Sequence, residues 1–429
     1  MRSRTVALEA ALLLATVRLG MAIAPIRALR RLLDWYARAF RTRPGPPYRP
    51  LTPPVDPGRA AIARLLKGED LSWIDAGRPS AQWAADCATE GVAGLIHERL
   101  ASRTARRLGW PAEVVEQLAR QARADVGEEL VRGREITRVL DALGSAGVRP
   151  ILLKGAALAY SVYVSPGQRP RLDTDLLIRR EDTGPVHAAL ATLGLQPANQ
   201  SDGELVFRQF QLGRVDQWGL PHAFDFHWGL SSQAAFADLF DFDRLAATAI
   251  ALPGLGANAR APGWAESLVL ACIHPVMHHR NEERLLWMYD IHLLAGRLDA
   301  AGWTAVVAHA TRGRVAAVCL DQLRRAQRLL GTTVPAGVLA QLADAALRPE
   351  PSAEYLRPGR AWRHELASNL RELPSWRNRV RLLREVALPR PSYMLESYGV
   401  TPGWGAVALP FLYVHRGIRG LARVVGGRK

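Results

Sequence analysis

Two aspartates one residue apart, Asp173 and Asp175, stand in a segment that otherwise reads as a buried strand, with Leu172, Leu176, Leu177 and Ile178 around them. Alternate side chains of a strand project to opposite faces, so both carboxylates share one face, about 6 to 7 Å apart along the chain. Like charges that close repel, and an apolar strand holds them only with compensating positive charge. A hard divalent cation such as Mg²⁺, which takes oxygen ligands and phosphate co-ligands, is one source of that charge. The other reading is local: the aspartates cap the following turn or pair with Arg169, Arg171, Arg179 or Arg180. Each reading gives the carboxylates a partner: a metal ion, an arginine or the N–H groups of the turn.

The surroundings of the pair narrow the choice. Upstream, Ile151 to Leu153 reads as a strand running into Lys154-Gly155-Ala156-Ala157 and then a helix. Glycine at such a corner lets a phosphate approach the backbone, and a helix N-terminus offers it N–H groups and partial positive charge. Of the 56 basic residues only Lys67, Lys154 and Lys429 are lysine, so a compact ammonium at this corner contrasts with a chain built on guanidinium groups. The plainer alternative is a tight turn with a surface lysine. Downstream, Phe224-Asp225-Phe226-His227-Trp228 is a second apolar strand carrying a lone carboxylate. If the two strands are neighbours in one sheet, Asp225 converges with Asp173 and Asp175, and three carboxylates can clamp the attacking and leaving oxygens of a phosphoryl displacement through bound metal. Asp225 then serves as base or metal ligand, and His227, on the same face, orients a phosphate or the acceptor. The competing reading pairs Asp225 with Arg214 and leaves His227 bonded to a carbonyl.

The 429 residues divide into five stretches: a basic amphipathic segment at 1–40, a linker at 41–59, a helical region at 60–146, an α/β core at 147–235 and a helical region at 236–429. Met1 to Arg43 holds nine arginines against Glu9 and Asp34, and Arg41 to Arg59 holds seven prolines, which makes a stiff, extended connector. Apolar spacing predicts helices over Ala81 to Leu100 and from Pro111 to Gly144. Strands follow at Val148 to Leu153, Leu172 to Ile178, Leu205 to Val215 and Ala223 to Trp228, with a turn at Gly219 and Pro221. The fold class is therefore α+β, a small mixed sheet with helices, flanked by largely helical regions. Hydrophobic residues at 48% against 22% charged exclude wholesale disorder and collagen-like chains. Cys87, Cys272 and Cys319 are odd in number and form no CxxC pair, which excludes a disulfide scaffold and favours a reducing, cytoplasmic setting. A net charge of +16 favours anionic partners such as nucleotides, RNA or lipid headgroups.

The ordered set of strand, KG turn, helix, DxD strand and later single-Asp strand resembles the polymerase-beta-like nucleotidyltransferase superfamily, and within it an uncharacterised bacterial nucleotidyltransferase family. LLKGAALAYSVY (Leu152 to Tyr163), RPRLDTDLLI (Arg169 to Ile178), FDFHWGL (Phe224 to Leu230) and CIHPVMHHRNEERLLWMYDIHLL (Cys272 to Leu294) carry the likeness, over about Gln82 to Arg423. The resemblance implies an enzyme moving a nucleoside monophosphate from an NTP to an acceptor with release of pyrophosphate. It implies that Asp173, Asp175 and Asp225 bind Mg²⁺ or Mn²⁺, and that Lys154, Gly155 and Ala156 meet the triphosphate, with His227 beside it. Ala156 stands where the superfamily usually has glycine or serine, which removes one hydroxyl contact. Arg169 and Arg171 are phosphate contacts, or else partners of Asp182 or Glu181. The acceptor, whether RNA, a small molecule, a saccharide, a lipid head or a protein, is not written in these motifs. The alternative from another class is a non-catalytic nucleotide- or RNA-binding regulator on the same fold.

His274 and His278 lie four apart on a predicted helix, the spacing of a zinc pair, but no glutamate completes HExxH and Pro275 disturbs the turn. The resemblance places them instead in the nucleotide or acceptor pocket. Both termini are basic, and Trp404 to Val414 is apolar yet too short to span a bilayer, so the termini read either as helices packed on the protein itself with basic flanks or as segments in contact with a membrane surface.

Overall fold

The computed structural model describes residues 56–73, 79–100, 108–197, 208–231, 233–237, 239–357, 362–373, 375–389, 391–400 and 405–426. The basic segment at 1–40 and all of the proline-rich linker before 56 lie outside them. The last linker residues belong to a helix: Pro57 opens α1 (Pro57–Leu66), and Asp56 caps it by accepting the Arg59 N–H at 3.0 Å, as a fixed proline φ at a helix start allows. The helix expected over Ala81 to Leu100 is two, α2 (Ser80–Thr89) and α3 (Ala93–Leu100), broken at Gly91, whose φ is +75°. Glycine takes that left-handed value without the Cβ clash that other residues meet.

Pro111 then opens α4 (Ala112–Ser145), 34 residues long, about 50 Å at helical rise. It joins two cores. Val114 and Leu118 at its start sit in a large helical core, and Ile136, Val139, Leu140 and Leu143 at its end sit under the sheet with Leu176, Phe224 and Phe226. The sheet follows: β1 (Ile151–Leu152), helix α5 (Lys154–Ala159), β2 (Thr174–Leu177), helix α6 (Thr183–Ala191), β3 (Gln196–Pro197), β4 (Gln209–Val215) and β5 (Pro221–His227). Strand order is β1-β2-β5-β4-β3. The β2/β5 pair is parallel and the other three pairs are antiparallel, giving the mixed sheet the α+β reading expects. Edge strand β3 and the short antiparallel pair β6 (Ile250–Ala251) and β7 (Arg260–Ala261) were not legible, because they are two residues long and, unlike β1, lie in no run of large apolar residues that marks a buried strand.

Beyond the sheet come α7 (Ala234–Ala237), α8 (Phe242–Ala247), α9 (Trp264–His278), α10 (Leu285–Ala295), α11 (Ala300–Arg312), α12 (Ala316–Leu330) and α13 (Ala336–Ala345). Their buried faces merge with those of α1 to α3 in one cluster, in which Trp83 and Ile96 join Leu286, Ile291 and Leu323. The helices on either side of the α/β core therefore share a single interior. A further hairpin, α14 (Trp362–Glu372) and α15 (Trp376–Ala387), buries its own cluster around Leu370 and Leu382. The chain continues into α16 (Pro391–Ser397) and α17 (Gly405–Gly426). Among the described residues, no helix is long and apolar enough to cross a membrane, and all three cysteines are buried free thiols.

Candidate metal and nucleotide site

The parallel ladder between β2 and β5 builds the site. Its register sets Asp175 directly opposite Asp225 and Leu177 opposite His227, so strand periodicity puts Asp225 and His227 on the face that carries Asp175. On the other side of β2, the N–H of Leu153 donates to the carbonyl of Asp175 at 2.9 Å, which brings the β1-to-α5 corner against the same residue. Lys154 occupies that corner with φ +50°. A non-glycine residue there carries about 1–2 kcal/mol of strain.

Asp175 is 4% exposed, and its Oδ1 receives the Lys154 ammonium at 2.7 Å and faces His227 Nε2 at 2.8 Å. Burial opposes its ionisation, but the Lys154 charge and the His227 contact hold its carboxyl far below the usual range. Asp225 Oδ1 accepts from Gln211 Nε2 at 2.6 Å; burial and the Asp175 charge push its carboxyl up. Asp173 lies just ahead of β2 with its side chain open to solvent, yet the surrounding protein and Asp175 raise it too. Among the described residues, Asp175, Asp225 and His227 form a group of metal-capable side chains whose ligand atoms lie within 4.8 Å of one another. Three ionised carboxylates and one ammonium leave a net charge of −2 beside the sheet, which one divalent ion neutralises. The donor set fits such an ion.

The other expected residues are placed differently. Arg169 is buried and bidentate to Asp290, Nε to Oδ1 at 3.0 Å and Nη2 to Oδ2 at 2.7 Å, with Tyr163 Oη donating to the same carboxylate at 2.6 Å. Arg171 is tied to Glu129 at 2.6 Å, and Arg214 to Glu135 rather than Asp225. Neither Asp182 nor Glu181 is the partner of Arg169 or Arg171; Asp182 accepts the Arg179 N–H at 3.3 Å. Gly155 is packed beneath both arginines: a Cβ there would stand 3.1 Å from Arg169 Nη1 and 3.4 Å from Arg171 Cβ. Ala156 points its methyl into the core under the sheet.

Helix α9 packs against α5 and ends in a left-handed turn at Arg280 and Asn281, with φ +51° and +63°. That end gathers His274, His278 and His279 within 4.9 to 6.4 Å ring to ring, with Trp287 at 4.3 Å from His279. The Nδ1 of His274 is buried without a partner. Among the described residues these imidazoles do not form a convergent group of three ligand atoms, so the zinc spacing serves ring packing. Enclosure by protein and then the Lys154 charge hold all three below the usual imidazole range, His278 to about 3. Neutral in the folded chain, they bind protons in the unfolded chain below about pH 6.5. Their contribution to stability is therefore complete above that pH and is lost progressively as the pH falls below it. Thermal unfolding across that range measures the slope, and His278→Asn should flatten it.

Gln211 was missed in the sequence, although FQLGRV alternates polar and apolar residues and sets Gln211 opposite Asp225. Asp290 announced itself only as a charge inside an apolar helix. No curated protein matches the chain. The profile of a family described as uncharacterised nucleotidyltransferase matches residues 82–331, a stretch holding the KG corner, the aspartate pair, the Asp225 strand and the histidine helix, and the chain belongs to that family.

Proposed function

We propose that the protein is a divalent-metal-dependent nucleotidyltransferase that moves a nucleoside monophosphate from an NTP to an acceptor hydroxyl or amine and releases pyrophosphate. The observation that carries this reading is the Asp175–Asp225 register across a parallel strand pair inside a nucleotidyltransferase domain. Mg²⁺ or Mn²⁺ held by Asp175 and Asp225, with Asp173 at the open rim, supplies positive charge to the α-phosphate when bound. Asp225, with its raised carboxyl, takes the proton of the attacking group as the new bond to the α-phosphorus forms and the bond to the bridging oxygen breaks. Lys154 can turn from Asp175 to the departing pyrophosphate, the stabilisation of developing charge that preorganised cations provide. Gly155 keeps the corner slim beneath Arg169 and Arg171, so that these arginines, bound to Asp290 and Glu129, shape the pocket wall. His274 and His278 line the acceptor side.

A thermal-shift panel of the four NTPs with and without Mg²⁺, on wild type and Asp175→Asn, tests the reading. Metal-dependent stabilisation by an NTP, lost in the variant, is expected; nucleotide shifts that ignore both metal and Asp175 would overturn it. One observation favours the second reading, a non-catalytic nucleotide- or RNA-binding regulator: the Lys154 ammonium already stands against the carboxylate that must hold the ion. Binding unaffected by metal removal, with no pyrophosphate released, marks that outcome. The basic termini also suit an anionic membrane surface, since Phe411, Val414 and Ile418 form an exposed stripe on α17 beside Arg416 and Arg419; sedimentation with anionic vesicles checks this.

A further inference from the structure

The side chains that converge on Asp175 are not three carboxylates. Asp173 precedes β2, while His227 presents Nε2 2.8 Å from Asp175 Oδ1 on the face shared with Asp225. Adjacent donors on an octahedral ion bound at about 2.1 Å lie about 3 Å apart, so the separation of His227 Nε2 and Asp175 Oδ1 already matches a pair of neighbouring ligands. Both side chains are buried and on paired strands, so the strand ladder fixes their spacing. The Lys154 ammonium meets the same oxygen at 2.7 Å, and His227 Nε2 is hydrogen-bonded to it, so an incoming ion takes the place of the ammonium and of the Nε2 proton, which passes to Nδ1 or to solvent.

We infer that His227 is a direct ligand, through Nε2, of the ion held by Asp175 and Asp225, and that this mixed nitrogen and oxygen set selects Mn²⁺ over Mg²⁺. The inference rests on the metal-dependent reading above and deepens it. Mg²⁺ favours all-oxygen surroundings and stays weakly bound to imidazole, whereas Mn²⁺ accepts both donors in octahedral geometry. Zn²⁺ binds imidazole more tightly still but favours four-coordinate sites, and an ion that also holds phosphate oxygens needs more positions than that.

Mn²⁺ binding to the full chain, followed by electron paramagnetic resonance with and without a non-hydrolysable NTP, tests this, with pulsed spectra reading any directly bonded ¹⁴N. Wild type should show ¹⁴N coupling. His227→Gln should lose the coupling and bind Mn²⁺ about tenfold more weakly, with Mg²⁺ affinity changed less than about twofold. Lys154→Met, which frees Asp175 Oδ1, should bind Mn²⁺ more tightly and keep the coupling. Bound Mn²⁺ without ¹⁴N coupling in wild type overturns the inference and leaves the transferase reading standing, because an all-oxygen site serves transfer equally well; the wild-type spectrum decides even where a variant fails to fold. Failure of wild type to bind either ion in the presence of nucleotide overturns both.

Discussion

Asp175→Asn should lower metal-dependent nucleotidyl transfer by at least about a thousandfold, the scale at which removing a principal stabiliser of transition-state charge acts. The substitution removes a full negative charge from the point where Lys154, His227 and Asp225 meet. It leaves the side-chain shape unchanged. Folding should survive, because the Lys154 side chain is 22% exposed, so water can solvate the ammonium, and Asp173 and Asp225 remain within electrostatic reach. Pyrophosphate release measured across an acceptor screen, alongside circular dichroism of both proteins, separates loss of chemistry from loss of fold. Turnover in the variant close to that of wild type would sink the assignment of Asp175.

Asp290→Ala should cost about 3–5 kcal/mol in urea unfolding, since it strands a buried guanidinium. Arg169 and Asp290 are 8% and 4% exposed at their side chains, and Tyr163 would lose its acceptor at the same time. The double variant Arg169→Met with Asp290→Leu should recover most of that stability, because replacing both charges removes the desolvation penalty together with the attraction. It should not recover transfer. Arg169 packs over Gly155, and α10, which bears Asp290, belongs to the helical core; without the pair the Lys154 corner loses the side chain that walls it. A cost below about 1 kcal/mol for Asp290→Ala would show that the pair contributes little to the fold.

The local chemistry was legible in the sequence wherever one element carried it. The period change at Val148, the glycine-bearing corner after Leu153 and the aspartates in an apolar strand are all short-range patterns. They led to the right strands, and the family match over residues 82–331 contains them. The expected neighbouring of the Asp175 and Asp225 strands is present as a parallel pair. Pairing partners were not legible. Arg169, Arg171 and Arg214 each had several acidic residues near in sequence, and each found one far away instead: Asp290, Glu129 and Glu135. A buried guanidinium takes whichever carboxylate the packing brings within reach, and helix positions 42 to 121 residues away are set by the whole core.

The sequence by itself determined the period of each long element and the set of polar groups inserted into apolar strands, because each depends on steric and solvation preferences within a few residues. Only the tertiary structure decided that Asp175, Asp225 and His227 converge while Asp173 stays at the rim, that Lys154 turns inward to Asp175, and that α9, which carries the histidines, packs against the helix that opens at that corner. Those relations depend on strand register and on helices packed from opposite ends of the chain, where a shift of one residue would send each side chain to the other face.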